Sequence, residues 1–193
     1  MNDLHKAALS DLDLNEAARP KMVPIKGATA SDRHKGKHLA MIHRHYLSEM
    51  AQIADILDRI KAGDQPPAAL AKIVLNSDMR QNFEVAGTIC GHQCKVLTMH
   101  HNIEEHQMFP ALAAQGNTEL TNVVDKLRAE HLVIHELLKR LERSALAIER
   151  APNEKTFKAA YDVFFKLRHC VLSHFGYEET ELEEAIGVYL GGI

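Results

Sequence analysis

Residues 97–112 read LTMHHNIEEHQMFPAL, and the fold and the chemistry of the chain can be worked out from this stretch. In an α-helix, His101 and Glu105 are about 40° apart around the axis, so their side chains project in the same direction. The same line of the helix carries the mainly apolar residues Cys94, Leu97, Met108 and Leu112. This pattern indicates a buried stripe, where an ionisable group without a partner costs several kcal/mol. A metal ion is a partner that suits both an imidazole and a carboxylate.

Three further segments show helical stripes of the same kind. The first begins near Gly36, ends at Gly63 and has the inward positions Leu39, His43, Tyr46, Met50, Ile53, Leu57 and Ile60. The third has Leu120, Val124, Leu127, His131, Ile134, Leu138, Leu141 and Ala145. The fourth starts at Asn153 with Thr156 and has Phe157, Tyr161, Phe164, Leu167, Val171, His174, Glu178 and Leu182. Short connectors between long helices favour antiparallel neighbours, so we predict an all-α fold, an up-down-up-down four-helix bundle.

The remaining segments complete the domain organisation. Residues 1–35 contain two prolines and a small polar run from Gly27 to Asp32, features that discourage packing, and we interpret them as a partly irregular N-terminal arm. Residues 36–187 form the bundle, in which glycines from Gly187 onward end the order, and residues 188–193 form a tail. A short extra helix over 68–76 follows the Pro66–Pro67 pair. The second long helix then runs from Ser77 or Asp78 to about Ala114.

The composition excludes several classes of partner. The net charge of −3 gives no electrostatic footprint for nucleic acid or an anionic membrane. No run of 18 apolar residues is present, and the first 30 residues do not resemble a secretory signal. Three cysteines do not suggest a disulfide framework. We therefore expect a cytoplasmic protein that binds neither nucleic acid nor membrane; its oligomeric state is left open.

Histidine and glutamate on the inward stripes form the candidate metal site. The set is His43, His101, Glu105, His131, His135, His174 and Glu178. A single tetrahedral zinc needs four ligands and would leave three of the seven stranded, whereas two ions with bridging carboxylates fit the count. Imidazole and carboxylate ligands suit iron, and we predict two non-heme iron ions, for which zinc or manganese can substitute.

Neighbouring histidines and glutamates are expected outside the ligand set. His43 keeps the spacing of the first stripe, whereas His45 is in register with Glu49. The off-stripe residues His100, His106, Glu104 and Glu179 are interpreted as solvent-facing or as partners of the ligands. Glu179 is the reserve for Glu178. No residue is assigned a catalytic role.

The order of these motifs resembles a known family. It reads H, HHxxEExxxFPxL, HxxxH and HxxxEE, carried by His43, by residues 100–112, by His131 with His135, and by residues 174–179. This order is similar to that of the hemerythrin-like, HHE cation-binding family over about residues 39–182. The resemblance implies a non-heme diiron centre with two carboxylate bridges and contact with oxygen. In the oxygen-carrying members the last carboxylate is an Asp five residues after its His, whereas this chain has Glu178 at four and Glu179 at five.

Two classes of function follow from this resemblance. The first is a protein that binds or senses oxygen or iron, with a small diatomic molecule or peroxide as its partner. The alternative is a diiron enzyme that acts on peroxide or nitric oxide, or that supplies iron for iron–sulfur cluster repair. A third hypothesis is a plain helical interaction module whose histidines bind no metal. Cys90 and Cys94 could form a redox pair, but their spacing differs from C-x-x-C and favours ordinary buried residues.

Overall fold

The computed structural model describes residues 4–64 and 91–192, without the side chains of 91–96 and 149, and contains no strand in those ranges. Its α-helices are α1 Ala30–Gly36, α2 His38–Ala62, α3 Gly91–Ile103, α4 Phe109–Ala113, α5 Thr118–Arg150 and α6 Glu154–Ala185. A π-helical segment, Glu104–Met108, joins α3 to α4, and a second one, Ile186–Leu190, continues α6. The all-helical class is confirmed. The predicted helix 68–76, the start of the second long helix and Cys90 lie outside the described residues.

Local capping explains where the long helices begin and end. The side chain of Asn117 accepts from the backbone N–H of Leu120 at 2.9 Å and caps α5. Asn153 and Thr156 form a reciprocal capping box at the start of α6. Gly63 adopts φ 79° and ends α2, a left-handed conformation that glycine reaches without steric cost. These boundaries confirm the sequence predictions.

The predicted stripes form the core. Every position of the α2 and α5 stripes is buried, and so is the α6 stripe from Phe164 to Leu182. The buried apolar residues form two clusters, one containing Met50, Ile134 and Phe164, the other Leu39 and Leu127. On α5, for example, His131 lies between Leu127 of one cluster and Ile134 of the other. The buried histidines thus form a polar layer between two apolar regions. None of the described helices has the length and apolarity needed to cross a membrane.

The N-terminal arm packs more tightly than its composition suggested. Leu12 and Leu14 are buried in the core, at 0% and 2% exposure. Arg140 of α5 donates to the backbone oxygens of Leu4 at 2.9 Å and Ala7 at 2.7 Å. The expectation that this arm is poorly packed is wrong, because two leucines and satisfied backbone carbonyls offset its prolines and polar residues. The small polar run before Gly36 is a capped helix, α1, whose capping box joins Thr29 to Asp32.

Helix α1 lies directly against the end of α6 through two glycines. A Cβ added to Gly36 would lie 1.8 Å from the backbone oxygen of Glu183, and one added to Gly187 would lie 1.8 Å from the backbone oxygen of Asp32. The two backbones therefore meet without intervening side chains. Gly187 does not end the order as predicted; helical structure continues to Leu190, and Gly191 caps it in a left-handed conformation.

Candidate metal centre

Two groups of buried side chains could each hold a cation among the residues that the structure describes. The first group consists of His43, His100, Glu104 and Glu178. The second consists of His101, His131 and His174. Within each group the candidate ligand atoms lie within 4.8 Å of one another, and all seven residues are buried. The groups draw on α2, α3, the following π-helical segment, α5 and α6.

Pairs of imidazole nitrogens face each other inside both groups. His43 Nε2 lies 3.0 Å from His100 Nε2, and His131 Nε2 lies 3.1 Å from His174 Nε2. His101 stacks on His131 with ring centroids 4.0 Å apart, which brings a third ring to the second group.

Carboxylates hold the opposite side of three of these rings. His43 Nδ1 lies 2.9 Å from Glu179, His131 Nδ1 lies 2.9 Å from Glu105, and His174 Nδ1 lies 3.1 Å from Glu130. An ionised carboxylate can only accept, so each Nδ1 is the donor, and in the neutral ring Nε2 then carries a lone pair. At 3.1 Å, the Nε2 atoms of His131 and His174 can share a proton when one ring is protonated, or can bind one cation together. Metal-bound histidines are oriented in this way by an outer carboxylate.

Glu104 and Glu178 lie between the two groups. Glu104 Oε1 is 2.8 Å from His100 Nε2, and its Oε2 is 3.4 Å from His131 Nε2. Glu178 Oε2 is 3.5 Å from His43 Nε2 and 3.9 Å from His174 Nε2. Each carboxylate thus approaches one histidine of the first group and one of the second. This position suits a bridge between two cations.

Among the side chains that the structure describes, five buried polar atoms in this layer lack a hydrogen bond. They are His101 Nε2 and both carboxylate oxygens of Glu104 and Glu178. The 2.8 Å approach of His100 to Glu104 does not satisfy the carboxylate, because it lacks the angle of a hydrogen bond. A buried polar atom without a partner costs about 1–3 kcal/mol, more if it is charged. Nitrogen and carboxylate oxygen are donors that iron, zinc and manganese accept, so this set fits a pair of such cations.

Burial and mutual proximity shift the pKa values of these groups in opposite directions. Burial lowers the pKa of His174 to about 4 and holds that of His101 well below its usual value, and neighbouring histidines add to both effects. Burial raises the pKa of Glu178, and the nearby Glu104 raises it further. Burial opposes ionisation of Glu104, but its contacts with His100 and His131 outweigh this and lower its pKa to about 2. The imidazoles of His101 and His174 are thus available as lone-pair donors.

The structure brings together five of the seven residues that the sequence nominated as ligands, namely His43, His101, His131, His174 and Glu178. Glu105 and His135 lie at the edge of the layer and belong to neither group of described residues. Glu105 accepts from His131 Nδ1 and from Arg128, and His135 Nε2 lies 3.2 Å from His101 Nδ1. His45, excluded on register, has 71% of its side chain exposed and pairs with Glu49.

His100 and Glu104 are the two group members that sequence reasoning did not nominate. Of the two interpretations of these residues, solvent-facing side chains or partners of the ligands, the first is wrong, since both residues are buried. The sequence does contain a signal for them, because the buried residues Leu97 and Met108 are about three helical turns apart. One turn after Leu97 the buried face lies between His100 and His101, and two turns after Leu97 it lies close to Glu104. A step of four residues from His101 leads instead to Glu105. The π-helical segment from Glu104 also departs from the straight helix that this step assumed.

Comparison with known families gives a match that covers most of this chain. The model of the hemerythrin HHE cation binding domain matches residues 32–186, a range that contains both groups. The comparisons with curated proteins and with solved structures found no significant match.

Proposed function

This chain belongs to the hemerythrin HHE cation-binding domain family, and we propose that it holds a pair of iron ions between its two buried histidine groups. The observation that carries the proposal is the pair of facing Nε2 atoms of His131 and His174, each with its Nδ1 held by a carboxylate. Two imidazole nitrogens 3.1 Å apart can share one proton or bind one cation, and only a cation would also serve the neighbouring His101, whose Nε2 has no hydrogen-bond partner among the described residues. The five hydrogen-bond-deficient atoms support the same conclusion, because they surround the same layer.

The ligand assignment follows the two groups. His43 and His100 serve one ion, and His101, His131 and His174 serve the other. Glu104 and Glu178 would contribute to both ions, because each carboxylate approaches a histidine of both groups. Glu105 and His135, which the sequence nominated as ligands, act instead by holding the Nδ1 atoms of His131 and His101.

The surrounding residues keep water away from this layer. The side chains of Leu97, Ile134 and Val171 are buried beside it, and the ring of Phe175 stacks on His43 at 3.7 Å between centroids. When bound, two irons would supply one electron each and an exchangeable position for a small ligand such as oxygen, peroxide or nitric oxide. We propose that the protein binds or senses oxygen or iron, because a dry and enclosed site favours reversible binding over turnover.

The finer features of the fold belong to the same proposal. We infer an up-down-up-down four-helix arrangement of α2, the α3–α4 segment, α5 and α6. Support comes from the contribution of all four to one polar layer and from the short connector between α4 and α5. A cytoplasmic location agrees with the low cysteine count.

Metal content and spectroscopy test the proposal. The full chain, loaded with Fe(II) without oxygen, should contain two irons and should develop a visible absorption band on exposure to air. A band that reverses when oxygen is removed supports binding or sensing, and continuous consumption of peroxide supports the enzymatic alternative. Folded protein that binds no iron would refute the proposal.

Adjacent glutamates provide a sharper test of the ligand assignment. Glu104→Gln should remove most of the bound iron, because it takes a charged bridge from the centre. Glu105→Gln should weaken binding by about 10- to 100-fold, the usual effect of an outer partner of a ligating histidine. His45→Ala is the matched control and should retain two irons. A larger loss in Glu105→Gln than in Glu104→Gln would contradict the assignment.

A further inference from the structure

The N-terminal arm contributes a buried arginine next to the candidate metal centre. Arg19 follows the 3₁₀ turn Glu16–Ala18, and its side chain is 13% exposed. Its Nε and Nη2 donate to the two oxygens of Glu130 at 2.9 and 3.0 Å. Its Nη1 donates to Ser173 Oγ at 2.9 Å. A guanidinium that makes two parallel hydrogen bonds fixes both the position and the plane of the carboxylate.

Glu130 passes this constraint on to the centre. Its Oε2, the oxygen that accepts from Arg19 Nη2, also accepts from His174 Nδ1 at 3.1 Å. Glu130 is 1% exposed, so its orientation depends on protein groups and not on water. Lys126 Nζ also lies near this carboxylate, 3.6 Å from Glu130 Oε1. Arg19, Glu130 and His174 thus form a chain from the arm to the Nε2 atom that faces the cation position.

Further contacts hold the arm in this place. The guanidinium of Arg19 lies 4.6 Å from the centre of the Tyr177 ring, and the hydroxyl of Tyr177 donates to the backbone oxygen of Pro20 at 2.8 Å. Ser173 donates to Glu16. These contacts, all to α6, determine how deeply the Arg19 side chain is buried. A displaced arm would leave Glu130 without its bidentate partner.

We propose that the N-terminal arm controls cation binding at the group formed by His101, His131 and His174, with Arg19 as a positioning residue. Arg19 holds Glu130, and Glu130 fixes the tautomer and ring orientation of His174, so that Nε2 points at the cation position. This inference rests on the proposed function, since it concerns the affinity of the same site. It predicts an effect on one of the two cation positions, because no contact of Arg19 leads to His43 or His100 within the described part of the chain.

Point variants of the full chain test the proposal, with Co²⁺ as the probe in competition with a chelator. Arg19→Ala should weaken one of the two bound Co²⁺ ions by about 10- to 100-fold and leave the other unchanged. The matched control is Arg33→Ala, because Arg33 also pairs with α6, through Glu184 at 3.0 Å, but lies 47% exposed and away from the histidines. The control should bind both ions as the wild type does.

Three further measurements distinguish positioning of His174 by Arg19 from a general loosening of the arm. Arg19→Lys keeps the positive charge but cannot make two parallel hydrogen bonds, so it should fold and show a smaller loss at the same ion. In the Co²⁺ protein, the NMR signal of the His174 Nδ1 proton should exchange faster with water in both Arg19 variants and not in Arg33→Ala. Glu130→Gln combined with Arg19→Ala should lose no more affinity than the stronger single variant.

Several outcomes would overturn the inference. Unchanged Co²⁺ affinity in folded Arg19→Ala, equal weakening of both ions, or additive losses in the double variant would each show that Arg19 does not act through Glu130 on this position. Wild-type protein that binds no metal would overturn the proposed function as well. Two ions in the wild type and no effect of Arg19 would overturn only the role of the arm.

Discussion

The ring orientations of histidines in the central layer are determined by the carboxylates that contact their Nδ1 atoms. His43, His131 and His174 each have Nδ1 against a carboxylate, so their Nε2 atoms are directed inward before any cation arrives. Preorganisation of this kind lowers the cost of binding, since the rings need not be ordered by the ion. The remaining cost of cation binding comes from the protons that the ligands must lose.

Cation binding should therefore release protons from the ligands whose pKa is raised. Burial lowers the pKa of His131, but its contacts with Glu104 and Glu105 outweigh burial and raise the pKa overall. The pKa of Glu178 is also raised, by burial and by Glu104. A group with a raised pKa keeps its proton to higher pH, so a cation that needs the lone pair must displace that proton, and affinity should increase with pH until the group has lost its proton. His174, with a pKa of about 4, is already neutral and contributes none.

Calorimetry in two buffers of different ionisation enthalpy measures this release. The apparent binding enthalpy should differ between the buffers at the same pH, and the difference should decrease as the pH is raised. Identical enthalpies in both buffers would contradict the expected protonation of His131 and Glu178.

At the scale of elements, the contact between α1 and the end of α6 depends on two glycines. The backbone of α1 lies so close to Glu183 and Gly187 that no side chain fits between them. This close approach keeps the segment before α2 against the bundle, where Ile25 also donates its backbone N–H to Glu184. Small residues are required at such crossings because the two backbones leave no space for a side chain. Helix propensity does not explain them, since glycine lowers it.

Alanine substitutions at glycine distinguish these two effects. Gly36→Ala and Gly187→Ala should each lower the free energy of unfolding by at least about 1–3 kcal/mol, because the new Cβ meets backbone and one element must shift. Gly176→Ala, within α6 and with nothing within 4 Å of the new Cβ, should raise it by about 0.5–1 kcal/mol. Urea unfolding midpoints report both changes. A stabilised Gly36→Ala protein would contradict the close contact.

At the scale of the whole molecule, the N-terminal arm is part of the core. Leu12 and Leu14 belong to the same apolar cluster as Met50, Ile134 and Phe164. Their burial gives the arm a hydrophobic anchor ahead of Arg19, so the ion pair with Glu130 need not hold the arm alone. The stability of the bundle and the position of Arg19 are thereby coupled.

Truncation of Leu12 tests this anchor. Leu12→Ala should lower the free energy of unfolding by about 2–5 kcal/mol, because it removes a fully buried side chain and leaves a cavity. Val23→Ala is a matched control in the same arm, since Val23 is 62% exposed, and it should change stability by less than about 0.5 kcal/mol. Thermal unfolding of both variants gives the comparison. Equal effects would show that the arm does not pack as described.

The amino-acid sequence by itself determined the long helices, their inward stripes and the layer in which histidine and glutamate meet. Helical periodicity carries this information, because a buried face repeats every three or four residues and costly groups on it need a common partner. The same periodicity could not distinguish between adjacent residues. It predicts Glu105 as a ligand, although Glu104 is the buried carboxylate, and it leaves His100, next to His101, out of the ligand set.

Only the tertiary structure decided which carboxylates contact the Nδ1 atoms of the histidines. It also decided that the N-terminal arm reaches one of these carboxylates. Arg19 and Glu130 are separated by 111 residues, and no local pattern relates them. Contacts of that kind depend on how helices rotate and how the arm folds back. The physical reason is that packing selects one rotation of each helix from several that the sequence pattern allows.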